Sequence, residues 1–301
     1  MTTPTEFHAR IAGLWVFPIK SCAGVPLTEA TLTPHGLAHD RAWMVVDAEG
    51  DMLTQRELPR MALITPSLHA HGLRLQAPNM AALDVPMQAS SGPTVEVTVW
   101  NDTVPAFDMG PEAGAWFTQC LGTAYGPLRL VRFDTRHARA SSAQWTQGDT
   151  ALNQFSDGFP VLVASEVSLA ELNAKLQQQG LPAVDMRRFR ANVVLAACEG
   201  EDMNPHDEDR VATLHVHTAE GEALLKPVKP CPRCPMPNID PDTAQVHTGV
   251  GDTLQGYRQD PRVNGAVTFG MNCMPLAGVG HTLRVGQRVS ADWAMNGWAW
   301  K

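Results

Sequence analysis

The chain has no excess of positive charge: 23 Lys and Arg against 31 Asp and Glu leave a net −8 over 301 residues. That argues against a general binder of nucleic acid or of anionic membranes, both of which need a basic surface. No apolar run approaches the ~20 residues needed to span a bilayer. The start, Met1-Thr2-Thr3-Pro4-Thr5-Glu6, lacks the basic opening and apolar core of a signal peptide. Cysteine is sparse. Cys22, Cys120, Cys198, Cys231, Cys234 and Cys273 are spread too thinly for a disulfide scaffold, so reduced thiols in a cytoplasmic setting are expected. Glycine-rich phosphate loops, a nucleophile-elbow serine, a paired-carboxylate signature and tandem repeats are also missing, which disfavours the usual nucleotide and hydrolase classes. What is there, 44% hydrophobic and 18% charged residues, suits a globular chain with one large core or two modest domains.

The first third reads as short strands: His8 to Phe17, Ala42 to Asp47, Leu73 to Gln76 and Val95 to Trp100. Turn signals at Glu49-Gly50-Asp51, His71-Gly72, Ser91-Gly92-Pro93 and Asn101-Asp102 separate them, which favours a barrel or sandwich over alternating β-α units. A helix is expected over Pro111 to Leu121, with proline in its first turn and Gly122 after its end. Residues 134–150 are polar and aperiodic, a candidate linker or mobile loop. A second unit follows, with a buried strand at Val161-Leu162-Val163 and a capping box, Ser168-Leu169-Ala170-Glu171, opening a helix that ends at Gly180. Further strands are expected at Asn192–Ala197, Val211–His217, Glu222–Pro227, Ala266–Met274 and Arg284–Ser290.

Several constellations carry chemistry. Cys231-Pro232-Arg233-Cys234 lies among Pro230, Pro232, Pro235 and Pro237, where a stiff backbone fixes the sulfurs and Arg233 offers a positive charge to a thiolate. A structural zinc site needs a second pair or two closely spaced histidines, and His247 stands alone. A thioredoxin-type pair expects a helix that the prolines oppose. A plain loop cysteine also stays open. Lys20-Ser21, Asp40-Arg41 and Thr54-Gln55-Arg56, with Arg60, are either solvated cations or a clamp for a dianion. Arg187-Arg188-Phe189-Arg190-Ala191-Asn192 is either a solvated strand entrance or an anion-binding rim, and Asp157 in Ser156-Asp157-Gly158 is by default a turn former. His215 and His217 share a strand face but lack a third ligand in range, so polar roles are expected.

Taken in order, these segments resemble the MOSC family that includes the mitochondrial amidoxime-reducing components and their bacterial relatives. The resemblance is carried by Pro18-Ile19-Lys20-Ser21-Cys22, Asp40-Arg41-Ala42-Trp43, Leu53-Thr54-Gln55-Arg56 with Pro59-Arg60, and Phe155-Ser156-Asp157. It continues through Phe189-Arg190-Ala191-Asn192, Cys231-Pro232-Arg233-Cys234, Ile239-Asp240-Pro241-Asp242-Thr243, Phe269-Gly270 and Leu283-Arg284-Val285-Gly286. It implies a mainly β, α+β chain: a MOSC N-terminal β-barrel-like domain over 7–133, the polar linker or loop over 134–150, and a MOSC β-barrel domain over 151–294. It also implies a molybdenum–molybdopterin cofactor. Cys234 would be the thiolate ligand to the metal, and Lys20, Ser21 and Arg41 would hold the phosphate and pterin side. Ser156 would join the cofactor-binding set. Arg190, Asn192 and Arg233 would contact the pterin or its phosphate, and Asp157 would lie near the metal with a catalytic role.

The implied reaction is two-electron reduction of the N–O bond in a small N-hydroxylated compound, such as an amidoxime or hydroxylamine. No ferredoxin-like cysteine cluster follows the last motif, so electrons are expected from a separate donor protein of ferredoxin, flavoprotein or cytochrome type. Neither nucleic acid nor membrane is an expected partner. A molybdopterin or sulfur carrier without N-reductase turnover is the alternative, and a metal-free binding module a third. The sequence departs from relatives at Ala191, where proline is common, and at Phe159, where some carry a small hydroxyl residue. The usual acidic pair followed by tryptophan is blurred into Glu201-Asp202 or Glu208-Asp209.

Overall fold

The computed structural model describes residues 6–87 and 94–294; the expected turn at Ser91-Gly92-Pro93 lies outside them. The chain is mainly β, and its centre is a closed barrel of seven strands. Around the barrel run Val161–Ser165, Val193–Ala197, Glu6–Val16, Arg288–Trp293, Val211–Thr218, Gly221–Pro232 and Ala266–Ala277, which pairs back onto the first. Only Val161–Ser165 and Val193–Ala197 run parallel, because the helix Glu166–Gln178 crosses between them. Alternating inward residues, among them Ile11, Val163, Leu195, Val216, Leu225, Cys273 and Val289, fill the interior. The strand Glu6–Val16, at the start of the chain, thus sits between Val193–Ala197 and Arg288–Trp293 and completes the barrel of the second unit.

The rest of the first unit is a four-stranded sheet, Trp43–Val46, Arg129–Phe133, Asp102–Asp108 and Thr94–Val99, beside a three-stranded one, Thr65–His69, Gly72–Gln76 and Leu83–Pro86. The helix Pro111–Leu121 has the expected bounds and buries Ala113, Trp116, Phe117 and Cys120 against Trp43, Leu73 and Leu75.

Four expectations change. The segment 134–150 contains a two-residue strand, Arg139–Ala140, and a short helix, Ala143–Thr146. Arg139 is buried there, because its guanidinium serves the backbone of the neighbouring turn. The second-unit helix opens three residues early: Ser165, in extended backbone, caps it by accepting from the Ser168 N–H at 3.2 Å. Residues 284–290 are not one strand. Gly286, at φ +90°, turns the chain between Thr282–Arg284 and Arg288–Trp293. The cysteine loop is largely strand, since Gly221–Pro232 carries Cys231 near its end. Its prolines are tolerated where the register against Ala266–Ala277 shifts, between Pro227 and Lys229 and between Pro230 and Pro232.

Candidate functional site

A cleft of about 310 Å³ opens where the two units meet, and it gathers Lys20, Ser21, Arg41, Ser156, Asp157, Arg190, Asn192, Arg233 and Cys234. Five separate stretches of chain therefore converge on one space. Six of its lining residues are cations (Lys20, Arg41, Arg56, Arg190, Lys229 and Arg233), while Asp157 is the single carboxylate among the described lining residues. In a chain of net −8, that concentration marks a place for an anion.

The backbone places these groups at some cost. Ser21, Arg41 and Arg190 lie at φ +67°, +46° and +58°, in the left-handed region that ordinary residues avoid. Lys20 follows an isolated bridge between Ile19 and Trp43 that fixes its strand end. Its Nζ donates to the Phe155 carbonyl at 2.8 Å and pairs with Asp157. Burial pulls the Lys20 pKa below its ordinary value, and the charge and hydrogen bond of Asp157 offset only part of that. Around Asp157, burial in the cleft walls favours the neutral acid. The Lys20 charge and hydrogen bond, the Trp100 indole and Arg41 outweigh it and hold the carboxyl below the usual range. Its side chain is nonetheless 69% exposed to the open cleft, so solvent screens that ion pair.

Arg41 donates to both oxygens of Asp40, at 2.9 and 2.7 Å, to Asn192 Oδ1 at 3.2 Å and to the Arg190 carbonyl at 3.1 Å. Asp40 in turn accepts the Phe17 N–H. Arg190 donates to the Cys22 carbonyl at 2.6 Å and lies over the Phe17 ring, while its second terminal nitrogen is buried with no protein partner. Burial, with Arg41 adding to it, pulls the Arg190 pKa down to about 9, so an anion there would be favoured. Arg187 and Arg188 turn away from the cleft and pair with Asp185, Asp242 and Asp240. The third arginine of that run alone serves the site.

Three of the expected site residues are committed to protein partners. Arg233 donates to Cys231 Sγ at 3.1 Å and to the Phe189 carbonyl, so the thiol it touches is Cys231, and its Nε is buried without a protein partner. Asn192 commits its oxygen to the Leu162 N–H and Arg41 and donates from its nitrogen to the Trp15 carbonyl. What it gives the cleft is the position of Arg41. Ser156 donates its hydroxyl to Asn153. Cys234 lies half-buried on the cleft wall, and all six cysteines are free thiols. Among the described residues, no three His, Cys, Asp or Glu side chains gather as a metal cage. His215 and His217 instead face Glu222, Asp292 and Ser290.

Sequence reasoning did not choose Trp100, Lys229 or Arg139 as site residues, and it offered Arg56 only as part of a dianion clamp. Arg139 donates to the carbonyls of Gln154 and Ser156 at 2.9 and 2.6 Å and so holds the turn that presents Asp157. Its only signal was one more arginine in a polar tract that also holds Asp134, Arg136 and Asp149. Phe159 packs with Ala151, Val228 and Met274 while still lining the cleft, which fills the space a smaller residue would leave. Of the two acidic pairs, Glu208-Asp209 is the buried one: Ser165 and Ser168 donate to Glu208, and Asp209 pairs with Arg258.

Residues 8–124 match the MOSC N-terminal beta barrel domain and residues 151–290 the MOSC domain. The chain is 34% identical to the mitochondrial amidoxime reducing component 2 of Rattus norvegicus over 265 residues, 84% of this chain and 74% of that one. It is 33% identical to the mitochondrial amidoxime-reducing component 1 of Homo sapiens, over 83% of this chain and 73% of the other. The molybdenum cofactor sulfurase of Danio rerio is 32% identical across 87% of this chain but only 31% of its own length. With both domains matched in order and a third of positions shared with those components over most of its length, the chain belongs to the MOSC-domain family.

Proposed function

We propose that the chain is a molybdenum-cofactor-dependent reductase of N-hydroxylated compounds that takes electrons from a separate donor protein. The observation that carries this reading is the convergence of six cations and two free thiols on a single cleft. The residues fit the group. Two buried guanidinium nitrogens, on Arg190 and Arg233, have no protein partner, as a phosphate or an electron-rich heterocycle would supply. Cys234 is a soft ligand suited to molybdenum. When bound, the cofactor supplies the two-electron couple that N–O reduction needs. Lys20, Ser21, Arg41, Arg190 and Arg233 would bind its anionic side, Cys234 would hold its metal, and Asn192 would keep Arg41 in place. Asp157, kept ionised by Lys20 and Trp100, would face the substrate as a hydrogen-bond acceptor. Free thiols suit a cytoplasmic setting, and no helix among the described residues is long and apolar enough to cross a membrane.

Resemblance to the amidoxime-reducing components supports the substrate class. A carrier of molybdopterin or sulfur is the second reading, favoured by the sulfurase match and by the second thiol, Cys231, in the same cleft. The test is turnover of benzamidoxime with a reduced dye, using protein whose molybdenum and pterin contents have been measured. Cofactor-loaded protein that forms benzamidine supports the reductase. Loaded protein without turnover supports the carrier, and protein that takes up neither molybdenum nor pterin in a competent host sinks both.

A further inference from the structure

Trp100 reaches the cleft from the opposite unit to Cys234. It sits between the strands Thr94–Val99 and Asp102–Asp108, at φ +57°, a turn conformation a tryptophan rarely adopts. Three contacts hold the indole. Its Nε1 donates to Asp157 Oδ1 at 3.0 Å, the Arg56 guanidinium lies 4.6 Å from the ring centroid, and Lys20 Nζ lies 5.8 Å from it. The ring cannot swing away without breaking all three. Yet 41% of the residue stays exposed, and it lines the cleft with Phe159, Leu162, Pro232 and Met236. A large aromatic surface left open to solvent, in strained backbone and pinned by three contacts, is prearranged for something flat.

We infer that Trp100 determines substrate choice by stacking on a planar aromatic N-hydroxylated compound, with the N–O group directed past Asp157 toward Cys234. This rests on the proposed reductase function and narrows its substrate class. Asp157 ties the two roles together, because the carboxylate that meets Lys20 also orients the indole. Small aliphatic N-hydroxylated compounds have no ring to place on the indole and gain nothing from it. Trp100 is therefore a specificity-determining residue that leaves the reacting atoms to others.

The test is calorimetric binding to cofactor-loaded, oxidised protein without reductant, so that nothing turns over. Benzamidoxime is compared with acetamidoxime on the parent protein, Trp100→Ala and Trp100→Phe. Trp100→Ala should weaken benzamidoxime about tenfold and change acetamidoxime less than about twofold. Trp100→Phe, which keeps a ring but loses the N–H, should stay within about threefold of the parent. Equal weakening of both ligands, no weakening of either, or no benzamidoxime binding by the parent overturns the inference. Selective binding without turnover in a reducing assay upholds it and removes the reductase reading. Turnover with equal losses does the reverse.

Discussion

Arg41 and Arg190 lie against the same ring. Their guanidinium carbons stand 4.5 and 4.2 Å from the Phe17 centroid, and Arg41 also donates to the Arg190 backbone. Two like charges held this close repel each other, and the ring's negative faces offset part of that cost until an anion arrives. Phe17 is thus a spacer for two cations, and its own room depends on Gly24.

A methyl at Gly24 would stand 2.5 Å from Phe17 Cε1, and the ring is too buried to yield freely. Gly24→Ala should cost about 1–3 kcal/mol of stability through overpacking. It should also lower the pterin and molybdenum retained on purification, as Phe17 displaces Arg41 or Arg190. Thermal unfolding and metal analysis measure both, and unchanged metal content would separate Phe17 from the site.

The two cleft thiols should behave unequally. Cys234→Ser should abolish molybdenum-dependent turnover. Cys231→Ser, whose hydroxyl can still accept from Arg233, should remain within about tenfold of the parent. Equal loss in both would point to a paired-cysteine chemistry.

Lys20 and Asp157 should show coupling. Lys20→Met deprives the Asp157 charge of its nearest cation in a cleft built for an anion, so cofactor content should fall by about half or more. Adding Asp157→Asn should recover part of it, because the repelling charge is gone. Cofactor content in the double variant no higher than in Lys20→Met would show that Asp157 does not act through charge.

Glu208 supplies a pH signature away from the cleft. Burial, reinforced by Asp209, raises its pKa above the ordinary carboxylate value, so the folded chain holds a proton that the unfolded chain has released. Stability from this group is complete below the unfolded value of 4.5 and is lost as pH climbs through the raised one. Glu208→Gln, an isostere of the protonated acid, should match the parent near pH 5 and melt higher by about pH 8, at about 1.4 kcal/mol per unit of the shift. Parallel melting curves at both pH values would refute it.

Much of the candidate site was legible because its residues sit in short ordered motifs at strand ends, where Pro18 and Gly158 mark the breaks. The helix Pro111–Leu121 was legible from its terminal residues alone. Arg139 and Trp100 were not, since each takes its meaning from a partner far along the chain: three carbonyls of a later turn for one, Asp157 for the other. The strand through Cys231 was hidden for a related reason. Proline argues against a strand locally, and only the partner strand shows that the register slips where the prolines fall. The hydrogen bonds of the Asn192 side chain, to the Leu162 and Trp15 backbone and to the Arg41 side chain, likewise have no trace in local sequence.

The place of Glu6–Val16 governs how the molecule can be assembled. A ribosome makes that strand long before either of its barrel neighbours, one of them near residue 290. The barrel cannot close until that later strand has emerged, and the long loops this implies make closure slow. Until then the unfinished sheet exposes bare edges to other chains, so how long the chain is open to wrong pairing is set by where a single strand is threaded.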